Sequence, residues 1–158
     1  MPTPRIVPTS ARPAASPYRD ADHLRSLLEQ VYGEEDDSPE AGLLTRSGLA
    51  VAFVYSRPEL TVLVDGRQRE VQVSFGAAAA QVSSAPLIFS MDGPTAHAFW
   101  LGELNVVTAM TLGRIRLQGS PLSALKIAPM MPRLQNLYRR VWAQQALERS
   151  GPTTEGGA

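Results

Sequence analysis

Gly102, Gly113 and Gly119 bracket the stretch that most restricts how this chain can fold. Asn105 stands where a helix needs an N-cap, because its side-chain oxygen can accept an amide hydrogen that the first turn leaves unpaired. Gly113 stands where that helix must end, in a left-handed conformation that is free of Cβ strain only for glycine. Beyond it, Arg114, Arg116 and Gln118 alternate with Ile115 and Leu117, the period of a strand with one dry face. The segment caps an apolar face with a short helix and returns at once to a sheet.

The residues Gly102, Leu104, Asn105, Ala109, Met110, Gly113, Arg114, Ile115, Leu117 and Gly119 together resemble the signature of the sterol carrier protein-2 (SCP2) lipid-binding family. That signature is a Gly-x-Leu-Asn/Asp opening, an Ala-hydrophobic turn, then Gly-Lys/Arg-hydrophobic-x-hydrophobic-x-Gly. Val106 stands where a proline is common, and Ser120 where an acidic residue is common. The resemblance extends from about Leu49 to about Trp142. It implies a mostly antiparallel five-stranded sheet covered on one face by helices, with a hydrophobic tunnel between the two layers for fatty acyl chains, sterols or similar lipids.

The rest of the chain reads consistently with an α+β fold. Residues 1–19 form a Pro/Ala/Ser tail with little to bury, expected to be disordered. From Asp20, Leu24, Leu27, Leu28 and Val31 mark one face of a helix that Gly33 can cap. Glu34 to Asp37 is a solvated acidic loop, and Ser38-Pro39-Glu40 opens a short helix to about Arg46. Leu49–Tyr55, nearly all apolar, is a buried central strand, and Leu60–Val64 follows it. Asp65-Gly66 signals a tight turn into Glu70–Phe75, whose Val71, Val73 and Phe75 share the dry face. Ala77–Ser84 fits a helical turn or a loop equally well; Leu87–Met91 is a fourth strand.

Asp92-Gly93-Pro94 and Ser120-Pro121 each combine a cap with an early proline, opening helices that carry Phe99 and Trp100 in one case and Leu122, Leu125 and Ile127 in the other. Pro129 interrupts the second, and Pro132 opens a last helix with Leu134, Leu137, Tyr138, Val141 and Trp142 on one stripe. Helices in this order are segregated to one face of the sheet. Residues 20–149 form the domain and 150–158 a flexible end.

Several function classes lose support. The 15 basic and 15 acidic residues cancel, so a nucleic-acid partner finds no bulk attraction. There is no cysteine, and no apolar run reaches the ~18 residues of a membrane span, so stable membrane insertion is not expected and a cytoplasmic protein is. No His-Glu-x-x-His, phosphate-binding loop or dinucleotide motif occurs, so neither metal nor cofactor is expected, nor an enzyme. His23 falls among solvent-facing positions of the first helix, and His97 reads as a structural histidine.

An apolar stripe taken alone is ordinary core. The resemblance implies that part of it walls the tunnel. From the sheet these residues are Phe53, Phe75, Phe89 and Met91; from the middle helices, Phe99, Trp100, Leu104, Val107 and Met110. The later helices supply Leu122, Leu125, Met130, Met131, Leu134 and Leu137. Methionine is flexible and polarizable, which makes Met130-Met131, set between two prolines, an adaptable lip. Arg114, Arg116 and Arg133 are candidates for a basic rim that meets a lipid headgroup. Burying an eighteen-carbon chain yields roughly 14 kcal/mol gross at about 0.8 kcal/mol per methylene, so no charged anchor is required. Two readings follow: a carrier that moves or presents a hydrophobic molecule, and an accessory module that holds an isoprenoid or similar intermediate for an enzyme partner, tethered through residues 1–19.

Overall fold

The structure, a computed structural model, describes residues 15–33, 42–76 and 85–150. Helices α1 (Ala21–Gly33) and α2 (Leu43–Ser47) precede strands β1 (Ala50–Ser56), β2 (Leu60–Asp65), β3 (Gln72–Phe75) and β4 (Leu87–Asp92). Helices α3 (Gly93–Leu101) and α4 (Val106–Thr111), strand β5 (Arg116–Gln118), and helices α5 (Pro121–Ile127) and α6 (Met131–Ser150) follow. The acidic run 34–37, the cap expected at Ser38, the segment 77–84, most of the N-terminal tail and the end beyond Ser150 lie outside the described residues.

The sheet runs β3-β2-β1-β4-β5 and is antiparallel except where β1 lies parallel to β4. Its register lines up Phe75, Val62, Phe53, Phe89 and Leu117 as one row across all five strands. That row belongs to the main core beneath the helices, with Leu24, Leu27, Leu28 and Val31 of α1 packed into the same core without solvent exposure. On the other face of β1, Ala50 and Ala52 join Leu63 and Ala85 in a second, smaller buried cluster. Both faces of β1 are therefore dry, which accounts for its almost continuous apolar sequence.

The expected caps form. Asp92 Oδ1 accepts from the Thr95 amide at 3.0 Å, Asn105 Oδ1 from Thr108 at 2.9 Å, and Ser120 Oγ from Leu122 at 3.2 Å. Gly113 has φ +80°, and the Arg114 amide donates back to the Ala109 carbonyl at 2.8 Å, closing α4. Gly119 has φ +124°, and a Cβ there would sit 2.1 Å from the Pro86 carbonyl oxygen, so β5 can lie against the start of β4 only with glycine at its end.

Four local expectations need correction. Residues 66–71 connect β2 to β3 in place of a tight turn, because the Asp65 carboxylate instead binds the backbone amide and guanidinium of Arg67. Val71 consequently falls outside β3 and is 37% exposed. Tyr18, read as part of the tail, is buried and hydrogen-bonded to Tyr138, 120 positions away. His23 is buried too: its Nδ1 accepts from the Arg19 amide at 3.1 Å while Asp20 caps the helix through the His23 amide at 2.8 Å.

Candidate functional site

The space between sheet and helices is packed with aromatic rings. Trp100 of α3 is fully buried at its centre, with ring centroids of Phe53, Tyr138 and Tyr32 at 5.8, 6.0 and 6.4 Å. Its indole N–H donates to the Tyr55 hydroxyl at 3.2 Å. Between the N-terminal half of β1 and the α5–α6 corner, the interlayer space narrows to an apolar cleft of about 10 Å³. The sheet contributes Val51, Phe53 and Val64; α1 and α2 contribute Tyr32 and Leu44; the corner contributes Ile127, Met130, Met131 and Leu134. Among the described residues, aromatic side chains thus occupy the path that the sequence resemblance implies for a continuous tunnel.

Met130 lies in a single 3-10 turn, Ala128–Met130, and Met131 begins α6. Pro129 lacks the amide needed to continue α5, so the chain tightens there and presents two adjacent half-buried methionines to the cleft. Their flexible thioethers form a wall that can repack.

Of the residues expected to wall the ligand space, Phe53, Met130, Met131 and Leu134 meet at this cleft. Phe75, Trp100 and Leu137 are buried in the surrounding core, and Phe89, Phe99, Leu104 and Met110 are half-buried against it. Met91 is buried, but it lines a different concavity. Val107, Leu122 and Leu125 depart from expectation: they are 73%, 71% and 66% exposed. Both helices that carry them are short, and each turns its small or β-branched side inward, Ala109 of α4 and Ile127 of α5 being buried. Sequence reasoning did not include Leu44, Val51, Val64 and Ile127, whose strand alternation and helical spacing mark them as core, nor Tyr32.

Tyr32 is the one cleft-lining residue with a side-chain oxygen or nitrogen. Its hydroxyl is buried and finds no hydrogen-bond partner among the described residues. Burial alone pushes its acidity far from the ordinary range, toward the neutral form. The other tyrosines of the interior are all partnered. Tyr18 and Tyr138 share a 2.6 Å O–H···O bond, and Tyr138 meets His97 Nδ1 at 2.8 Å. His97 is held below its usual value of 6.5, chiefly by burial, although the Glu103 carboxylate pulls the other way. Tyr18, Tyr138 and His97 thus form one continuous hydrogen-bonded chain, whose direction is set by the tautomer of the imidazole.

A second concavity of about 600 Å³ opens at the C-terminal ends of β1 and β4. Arg57, Asp92, Arg114 and Arg116 line it, and Arg57 pairs with Asp92 at 2.7 Å. Burial raises the Asp92 pKa, but hydrogen bonds from Thr95 and Arg57 outweigh it and hold the carboxyl below its usual value. The cleft takes Val51 and Phe53 of β1, whereas the groove takes Val54, Tyr55 and Ser56, so the two have no lining residue in common. Arg114 and Arg116 therefore flank the groove and not the apolar cleft. Arg133 is not among the groove residues; it sits on the first turn of α6, between the cleft residues Met131 and Leu134.

No protein-family model matches the chain, and no curated protein matches it either. Solved structures do. The apo form of sterol carrier protein 2 from Yarrowia lipolytica aligns over 73% of this chain and 92% of its own, with 11% identity and a TM-score of 0.55. Sterol carrier protein domain 2 of Helicoverpa armigera aligns over 78% and 96%, with 14% identity and a TM-score of 0.57. At such identities the likeness lies in the arrangement of strands and helices, and it covers nearly the whole of each of those domains. The five-stranded sheet with its helical layer is the sterol carrier protein-2 fold.

Proposed function

We propose that this chain binds a hydrophobic molecule, sterol-like or fatty-acyl-like, between its sheet and its helical layer, and transfers or presents it without catalysing a reaction. The observation that carries this reading is the apolar cleft at the α5–α6 corner, walled by Phe53, Leu134 and the adjacent Met130 and Met131. At about 10 Å³ the cleft is a starting point for entry and not a finished site, so loading requires the methionine corner to move off β1. Each methylene buried contributes about 0.8 kcal/mol, which offsets the loss of existing contacts as the chain advances. Full-length protein titrated with the neutral dye Nile red is expected to bind it saturably at one site. No saturable binding, together with no lipid retained in native mass spectrometry after gentle purification, refutes the proposal.

A second reading, an accessory module that holds a lipid intermediate for an enzyme partner, draws support from Leu122 and Leu125, which α5 leaves in solvent beside Ile127 of the cleft. Crosslinking in cells separates the two: a stoichiometric enzyme partner favours the accessory role, and its absence the free carrier.

A further inference from the structure

The Tyr32 hydroxyl has no structural task that phenylalanine would not do better. The chain has 4 tyrosines, and the hydroxyls of Tyr18, Tyr55 and Tyr138 are all hydrogen-bonded. Among the described residues, the Tyr32 hydroxyl alone is buried without a partner. Its ring already packs edge-on to Trp100, a contact that the ring makes without the oxygen. A trapped water is a poor substitute. The cleft, at about 10 Å³, is at the lower limit for one molecule, and its other lining side chains are all apolar. A buried water needs two or more polar partners to be held.

We infer that Tyr32 is the polar end of the ligand site and that it selects a neutral lipid bearing a hydrogen-bonding oxygen, such as an alcohol, sterol or ketone, over a bare hydrocarbon or a carboxylate. The inference rests on the proposed function and specifies its ligand. A hydroxyl or carbonyl oxygen brought beside Tyr32 as the corner opens gives its O–H the acceptor it lacks. A carboxylate at the same point would bring a full charge among Leu44, Val51, Phe53 and Ile127, with no cation among the cleft-lining residues to compensate it. A hydrocarbon leaves the hydroxyl unpaired and gains nothing from it. The ligand is thereby oriented, with its oxygen toward α1 and its tail toward the methionine corner.

Isothermal titration of the full chain with 1-dodecanol, dodecane and dodecanoate at pH 8, in the parent protein and in Tyr32→Phe, tests this. The parent is expected to bind dodecanol about five- to tenfold more tightly than either of the others, the factor that one net buried hydrogen bond supplies. Tyr32→Phe, which keeps the ring, is expected to bind dodecanol and dodecane with equal affinity, the preference for the alcohol being lost. Equal binding of alcohol and alkane by the parent, a preference that survives in Tyr32→Phe, or tightest binding of the carboxylate overturns the inference while leaving the carrier reading in place. If none of the three binds either protein, the proposed function fails and this inference falls with it.

Discussion

Two tyrosines, each losing only its hydroxyl, are expected to move stability in opposite directions. In Tyr32→Phe the oxygen removed is buried and unpaired, so the folded state sheds a desolvation cost that the unfolded chain never had. Such costs run to about 1–3 kcal/mol. In Tyr138→Phe the oxygen removed is the middle of a relay, leaving the Tyr18 hydroxyl and His97 Nδ1 without the partners they hold at 2.6 and 2.8 Å. Tyr18 is 4% exposed, so water cannot easily replace what it loses, and a destabilisation of about 1–3 kcal/mol follows. Both changes leave a phenylalanine ring, so the transfer of ring surface cancels between them. Urea unfolding of delipidated protein should shift the midpoint up for Tyr32→Phe and down for Tyr138→Phe with unchanged slope. In thermal scans each kcal/mol corresponds to roughly 2–4 °C at this chain length. If the two midpoints move the same way, the contrast drawn here between a partnered and an unpartnered hydroxyl is wrong.

Three further outcomes can be checked by unfolding experiments. The folded-state pKa of His97 is depressed, so its contribution to stability is fully present above pH 6.5 and lost as pH falls through the folded value; His97→Asn, whose amide can donate or accept near the Nδ1 position, should flatten the slope between pH 7.5 and 5.5. Asp92, also depressed, contributes stability above the ordinary carboxylate range that disappears in acid. Asp92→Ala should cost about 1 kcal/mol as a lost N-cap, with a smaller loss from the exposed Arg57 pair, measured as a midpoint shift at pH 7. Gly119→Ala forces a Cβ to 2.1 Å from the Pro86 carbonyl at a positive φ, so a loss above about 3 kcal/mol or failure to fold is expected, against a near-neutral change for exposed Val107→Ser.

Cap chemistry was the most legible part of the sequence. Asp92, Asn105 and Ser120 each bind an amide of the following turn, as the residue order implied, because capping depends on three or four neighbouring positions and nothing else. Strand alternation likewise marked the row through Phe53 and Phe75. What escaped was whatever depends on distant chain. His23 lies off the apolar stripe of α1, yet it is covered by Tyr18 and by Trp142 of α6, whose rings lie 6.0 Å away. Leu122 and Leu125 look like core by composition, but spacing tells only which residues share a helix face, not whether another element covers it. The cleft shows the same limit: Phe53 and Met131 could be named from pattern, whereas an unpartnered Tyr32 hydroxyl can be recognised only when all its neighbours are in place.

The parallel pairing of β1 with β4 divides the domain along a seam. Everything from α1 to β3 lies on one side of it in sequence, and everything from β4 to α6 on the other. A second join crosses above the sheet, where α6 packs on α1 and Tyr138 meets Tyr18. Neither join depends on the covalent connection between Gly76 and Ala85. Two separately expressed pieces cut there carry complementary backbone edges and complementary helix faces, and are expected to reassemble when mixed into a working whole.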